Sequence, residues 1–576
     1  MARSVERVGA SVIIAAAGLA LVVAVPFLFI VLQAIFPELG RGSLVAPFSA
    51  LAGALGDPKL IGMTGNTLLL GVMVVALSAL VAMPLAVARA LFNVPGAVVW
   101  DVLFLIPFMI PPYIAVLGWI MTLQPRGYLE QLVGIDLAIF LFSVPGMVFV
   151  MTLNTFPVVY FAVSRTLETV GSRYSDVARV FGASPMRAFW RVTLPLSTPG
   201  LAASLLLVFA MAIEEYGTPA ALGSRAGFDV LVTAIDLRVS DWPIDLPGAA
   251  ILSLVLVVLS FAAFLLQRWI LSRRSYVATT GKPQGNARRD LGLWKWPVLA
   301  VFALVAFVAT GMPLLAILAG ALSRTISGGL VWSNLGPDNF SAILGDTTGA
   351  MRALGTSLWL GVAAALITGL LGALSAYAVV KSRVRGRGVL DVLTILPNAL
   401  PGIVVAVGLI LAWNQPWLPV TPYNTALILL LAYCCILLPQ PVRYATAAFH
   451  QIGDNLEAAA RVCGASPLTA FRLILLPLIA PSLLAAMLLV FAVATRELVA
   501  SVVVAPVGVS TISTYIWRQF EQGSVGLGMA MAFVTILITT ALPLFVLSLM
   551  GRRGNLLQRR SSGVPIRARG AMAVMM

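Results

Sequence analysis

Apolar runs of 18 or more residues recur from one end of the chain to the other. Coiled as a helix, each is long enough to cross a hydrocarbon core of ~30 Å. Inside a bilayer no water can satisfy a bare peptide group, so such runs fold as helices that bond their own backbones. This predicts an all-α polytopic membrane protein. Twelve spans are expected, near 9–33, 66–90, 100–122, 143–164, 200–222, 248–270, 297–322, 355–380, 390–412, 425–446, 481–505 and 528–550. The first follows Arg3 and Arg7, is long for a signal-peptide core and precedes no clear cleavage site, so it is expected to be retained. Composition agrees: 60% of the 576 residues are hydrophobic, 10% are charged, and mean hydropathy is +1.00.

A formal charge of +15 invites a nucleic-acid reading. Membrane topology accounts for it better. With the N-terminus in the cytoplasm, most of the 37 Lys and Arg residues fall on the cytoplasmic side, and the outer loops carry more acidic than basic residues. The reverse orientation would put the excess outside. Both termini are therefore expected in the cytoplasm, and no nucleic-acid partner is expected. Cys434, Cys435 and Cys463 have neither disulfide-framework nor zinc spacing, and His450 is the single histidine, so no metal site is expected.

The chain repeats itself. At an offset of 282, Gly182 matches Gly464, Pro195 matches Pro477 and Pro199 matches Pro481. At an offset of 290, "DVLFLIPFMIPP" (101–112) matches "DVLTILPNALPG" (391–402), pairing Pro107 with Pro397 and Pro111 with Pro401. Prolines inside spans imply kinks or unwound turns. The organisation expected is a six-helix half over 1–272, a polar cytoplasmic linker over 273–296 and a second six-helix half over 297–576. An even number of spans per half gives both the same orientation, related by a pseudo-twofold axis along the membrane normal.

The sharpest repeat is "ARVFGASPMRAFWRVTLP" (178–195) against "ARVCGASPLTAFRLILLP" (460–477). In each half it follows the fourth span. "NLEAAARVC" holds strong helix formers and stops at Gly464, which suits the left-handed position after a helix. Ser466 can cap a second helix and Pro467 suits its first turn. A short helix, a sharp turn and a second short helix are predicted on the cytoplasmic face. Ala459, Val462 and Cys463 can form an apolar stripe. On the residues alone, two readings stand: an interfacial helix resting on headgroups, or a docking element for a symmetric partner.

The stretch resembles the "EAA" loop of permeases of binding-protein-dependent ABC importers: Glu-Ala-Ala, three residues, Gly, nine residues, Ile-x-Leu-Pro. Ala459, Ala460, Gly464, Ile474, Leu476 and Pro477 fit, as do Ala178, Gly182, Leu194 and Pro195. Asp176 takes the acidic place in the first half, Ala458 takes it in the second with Glu457 one residue early, and Val192 replaces Ile. The resemblance implies coupling of Asp176, Ala178, Gly182, Pro195, Glu457, Ala459, Gly464 and Pro477 to two separate ATPase subunits. It also implies an extracytoplasmic solute-binding protein and a bacterial cytoplasmic (inner) membrane location. The chain itself has no G-x-x-x-x-G-K-[ST] loop, so ATP and its hydrolysis would belong to the partners, with no cofactor here. The fused two-half layout and "TRELVASVVVAPVGVSTISTYIWRQFEQGSVGLGMAMA" (495–532) resemble ferric-iron permeases and relatives proposed to import 2-aminoethylphosphonate. Thiamine and polyamine permeases stay open.

Four charges interrupt the apolar spans: Glu214, Glu215, Arg496 and Glu497. At the 282 offset Glu214 aligns with Arg496 and Glu215 with Glu497. A charge in a span is costly and usually faces a cavity or a partner. Glu215 lies 16 residues past Pro199, roughly 24 Å along a helix, in the outer part of the membrane. A fixed ion pair of Arg496 with Glu214 or Glu215 and a role in a pathway or gate both remain open. An ion-driven secondary transporter would explain the spans and these charges but not the duplicated loop. A membrane-embedded enzyme would need more clustered polar groups than the spans provide.

Overall fold

The computed structural model describes residues 10–170, 173–273, 288–345, 348–381, 386–453 and 455–539. Among them secondary structure is helical apart from two isolated bridges. The first half is built from α1 (Val12–Ile35), α2 (Pro58–Leu91), α3 (Ala97–Met109), α4 (Pro112–Leu123), α5 (Val144–Val170), α6 (Arg173–Val180), α7 (Met186–Glu214), α8 (Gly217–Ala226), α9 (Leu231–Ser240) and α10 (Leu246–Arg273). The second half follows the same order: α11 (Gly292–Leu322), α12 (Ala350–Val380), α13 (Arg387–Ala399), α14 (Gly402–Trp413), α15 (Ala426–Leu437), α16 (Pro439–Gln451), α17 (Asn455–Val462), α18 (Leu468–Ala494), α19 (Val499–Val504), α20 (Ile512–Glu521) and α21 (Val525–Thr539).

Among the described residues, eight helices are long and apolar enough to span alone, or up to 11 if each bent pair is one span. The expected twelfth span runs from α21 into residues outside the described set. Two of the three bent pairs fall at the prolines of the sequence repeat: α3 and α4 meet at 97°, α13 and α14 at 117°; α15 and α16 meet at 44°. Pro111 and Pro401 each stand at the break in extended backbone. The carbonyls freed at the first break are bonded again, since Asn154 Nδ2 donates to Pro107 at 2.7 Å and to Ile110 at 3.1 Å.

Four π turns, Ala20–Ala24, Phe189–Thr193, Phe307–Gly311 and Phe471–Leu475, each end two residues before a proline (Pro26, Pro195, Pro313, Pro477). A proline ring crowds the carbonyl one turn back and has no N–H to give it. The helix widens there instead of breaking.

The halves are intertwined. α1 packs on α12 and α14 of the second half, and α11 packs on α3 and α4 of the first. Glycine permits each crossing. A Cβ on Gly118 of α4 would lie 3.0 Å from the Pro313 carbonyl oxygen, and one on Gly408 of α14 would lie 2.7 Å from that of Pro26. Small residues let helix backbones approach this closely in lipid. Thr310 adds a hydrogen bond to the Leu103 carbonyl at 2.8 Å, and Phe302 packs its ring on Trp100 and Phe104.

Candidate functional site: two helix–glycine–helix elements and four membrane charges

The repeated stretch forms the same device twice. α6 stops at Val180 and α17 at Val462, and the glycines beyond them are left-handed, Gly182 at φ +85° and Gly464 at φ +87°. Ala183 N–H returns to the Ala178 carbonyl at 3.0 Å and Gly182 N–H to that of Arg179 at 2.9 Å; Ala465 N–H returns to Ala460 at 3.0 Å. These bonds close a Schellman turn, which only glycine enters without strain. Ser184 and Ser466 then cap the next turn, accepting from the N–H of Arg187 at 3.3 Å and Thr469 at 3.2 Å. α7 and α18 start there, each carrying a π turn and then the exposed Pro195 or Pro477 near its beginning.

Both tips expose apolar side chains. Val180 is 85% exposed, Phe181 86% and Val462 88%, and Ala459 and Cys463 are also exposed. The apolar stripe expected on α17 therefore points away from the protein. Glu457 points the other way: it is buried and accepts from the Tyr377 hydroxyl at 3.0 Å. Nearby, Lys381 Nζ donates to the Ile452 carbonyl at 2.8 Å, and the ring of Tyr377 packs on Phe449 and Phe471. Ala178 is half-buried on α6. The side chain of Asp176 lies outside the described residues.

Sequence reasoning missed a second set of charges near the base of α6. Arg89 at the end of α2 meets Asp101 on α3 at 2.7 Å, and the Tyr160 hydroxyl also donates to Asp101 at 2.7 Å. Glu168, at the end of α5, lies 3.5 Å from Arg89 and 2.8 Å from Arg288 of the linker. The linker is further held where Asn93 N–H meets the Arg289 carbonyl at 2.8 Å. The available signal was single charges near the ends of otherwise apolar helices, Arg89, Asp101 and Glu168.

The four membrane charges sort into two pairs. Glu215 and Glu497 are helix caps. Both carboxylate oxygens of Glu215 accept from the Thr218 N–H at 3.0 Å, ahead of α8, and Glu497 Oε1 accepts from the Ala500 N–H at 3.2 Å, ahead of α19. The expected spans end early, α7 at Glu214 and α18 at Ala494, so these acids stand in the breaks rather than within helices. Each carboxylate satisfies a bare N–H group at a helix start within the bundle.

Glu214 and Arg496 are different. Glu214 Oε1 and Arg496 Nη1 are each buried with no hydrogen-bond partner. No ion pair among the described residues joins Arg496 to Glu214 or Glu215, so the fixed pair considered from the sequence does not form in this structure. The repeat carries each side chain on its own half, facing different neighbours. Arg496 has Tyr113 of the first half and Glu497 as its electrostatic neighbours, and the Tyr113 hydroxyl is itself buried without a partner.

Beyond the breaks, the halves match again. The Leu231 N–H that opens α9 donates to Thr67 Oγ1 at 3.0 Å, and the Ile512 N–H that opens α20 donates to Ser357 Oγ at 2.8 Å. Tyr216, hydrogen-bonded to Asp236 at 2.7 Å, lies against Trp517 of the other half with ring centres 6.0 Å apart. Among the described residues, no three His, Cys, Asp or Glu side chains come together as a metal-ion site.

Comparison with known proteins follows the same two-part plan. The profile of the family described as "Binding-protein-dependent transport system inner membrane component" matches residues 75–276 and again 365–553. Over 510 residues the chain is 26% identical to the ferric transport system permease protein FbpB of Actinobacillus pleuropneumoniae, covering 85% of this chain and 71% of that one. Over 525 residues it is 23% identical to the Fe(3+)-transport system permease protein FbpB 2 of Haemophilus influenzae, covering 91% and 94%. It is 27% identical over 211 residues to the molybdenum transport system permease protein ModB of Escherichia coli, covering 36% of this chain and 92% of that one.

Proposed function

The chain belongs to the family of binding-protein-dependent transport system inner membrane components, and from that premise we propose that it forms the whole translocation pathway of an ATP-driven importer for ferric iron. Membership makes it a multi-pass inner-membrane permease, a transport subunit rather than an enzyme. The ferric assignment draws support from the relatives with which the chain shares most of its length.

The observation that carries the proposal is the duplicated helix–glycine–helix element with an exposed apolar tip on each half. Two like elements fit two like ATPase subunits, one gripping α6 and the turn at Gly182, the other α17 and the turn at Gly464. In this reading both elements face the cytoplasm, and a solute-binding protein delivers the solute on the opposite side. Movement of each element reaches the membrane through α7 and α18, which continue from it to the breaks at Glu214 and Arg496. Rocking of the two halves would open the pathway alternately to either side.

A second solute class has one observation in its favour. Arg496 Nη1, buried without a hydrogen-bond partner beside the free Tyr113 phenol, suits an oxyanion such as a phosphonate better than a bare cation. Proteoliposomes holding the permease with its ATPase, supplied with its binding protein, decide between them. ATP-dependent uptake of radiolabelled ferric iron supports the first reading; uptake of 2-aminoethylphosphonate with no iron uptake replaces it. Uptake driven by an ion gradient without ATP would sink the importer reading itself.

A further inference from the structure

Between α1 of the first half and α12 and α15 of the second lies a groove of about 550 Å³. Gly18 and Leu21 of α1, Leu370 and Leu371 of α12, Leu430 of α15 and Trp413 at the end of α14 line it. α1 touches α12 at its floor, where a Cβ on Gly18 would lie 2.6 Å from Leu371 Cδ1. The groove thus runs along the seam by which α1 is held on the opposite half.

Its walls are hydrocarbon, and its rim is continuous with the lipid-facing surface: Leu21, Leu370 and Leu427 are all exposed on membrane helices. Water has no polar partners in such a space. Left empty, the lining side chains forfeit dispersion contacts along one whole side. At this depth a bilayer offers flexible hydrocarbon chains. At one end of the groove Trp413 closes α14 where the chain leaves the membrane helix for a loop, the level at which tryptophan meets lipid headgroups. Its indole N–H is buried with no acceptor in the protein.

We propose that one acyl chain of a phospholipid occupies this groove, with its glycerol-ester region at Trp413. A small turn of the indole gives the N–H a lipid ester oxygen to bond. The lipid then acts as a wedge between the halves, filling the seam that α1 leaves. The site is independent of which solute the permease carries.

The full-length permease, purified in mild detergent, is examined by native mass spectrometry and thermal unfolding. The expected result is one phospholipid retained per chain. Stripping it with excess detergent lowers the midpoint, and re-adding dioleoyl phosphatidylglycerol restores it. The double variant Leu370→Trp with Leu427→Trp fills the groove from its exposed rim; it should carry no adduct, and its midpoint should no longer respond to added lipid. Trp413→Phe keeps the ring and loses the donor, so lipid retention should fall several-fold in a fold otherwise unchanged. Equal retention by wild type and both variants overturns the proposal, as does a wild-type spectrum with no stoichiometric lipid. A polypeptide adduct in place of the lipid would also overturn it, assigning the groove to a partner helix.

Discussion

The hydroxyl of Tyr377 donates to the carboxylate of Glu457 at 3.0 Å, and the bond ties α17 to the last turn of α12. Glu457 therefore faces the permease, while Val462 at the end of the same short helix and Cys463 in the turn after it face away. One face of α17 grips the membrane bundle and the other is free for a partner. Tyr377→Phe removes one hydrogen bond to a charged acceptor, worth about 1.5–3 kcal/mol. The expected outcome is a lower unfolding midpoint and weaker stimulation of the ATPase by solute-loaded binding protein. A variant that matches the parent in both measurements would show that the tie carries nothing.

Gly182 and Gly464 have open space where a Cβ would stand, so the cost of substitution is backbone strain alone. A left-handed β-branched residue costs at least ~1–2 kcal/mol, whereas asparagine tolerates that conformation. Gly464→Val and Gly182→Val should each abolish co-purification of the ATPase, and Gly464→Asn should retain it. Equal recovery of the ATPase with all three would remove the turn from the docking element.

The exposed tips should hold much of the docking energy, as buried aromatic anchors do at interfaces. Phe181→Asp and Val462→Asp are expected to weaken ATPase binding by at least ~30-fold, corresponding to about 2 kcal/mol. The unfolding midpoint of the permease alone should not move, because neither side chain packs within it. Binding measured in detergent with the isolated ATPase tests this, and undiminished affinity would place the contact elsewhere.

Arg496 and Glu214 separate a pathway from a scaffold. Breaking a buried ion pair costs ~3–5 kcal/mol and is rescued by neutralising the stranded partner. Since Arg496 forms no ion pair with Glu214 here, Arg496→Ala should lose less than that, and Glu214→Gln should give no rescue. Solute uptake should nevertheless change in both single variants. Rescue of thermal stability in the double variant would instead establish a pair that forms in another state. The capping acids behave differently: Glu215→Ala and Glu497→Ala should each cost about 0.5–2 kcal/mol, the range for a lost helix cap.

Gly118→Ala and Gly408→Ala test the intertwining of the halves. Each adds a methyl group against a carbonyl oxygen of the opposite half's first helix. Overpacking of this kind costs ~1–3 kcal/mol, so both midpoints should fall, Gly408→Ala by more because its approach is closer. Midpoints equal to the parent would mean that α1 and α11 shift aside without loss.

The sequence by itself determined the class of fold, the doubling, and the local punctuation. These are local properties: apolar length against a fixed membrane thickness, prolines that break or widen a helix, glycines that alone enter a left-handed turn. The bends at Pro111 and Pro401 and the turns at Gly182 and Gly464 stand where those rules put them. Tertiary structure decided which surfaces meet. It sent α1 and α11 across to the opposite halves, turned Glu457 inward to Tyr377, made caps of Glu215 and Glu497, and left Arg496 without the partner that its alignment with Glu214 suggested. Periodicity along one helix cannot specify a neighbour hundreds of residues away. In lipid, apolar faces look alike, and the choice among them falls to single contacts such as Gly118 on Pro313, or Glu168 on the linker's Arg288.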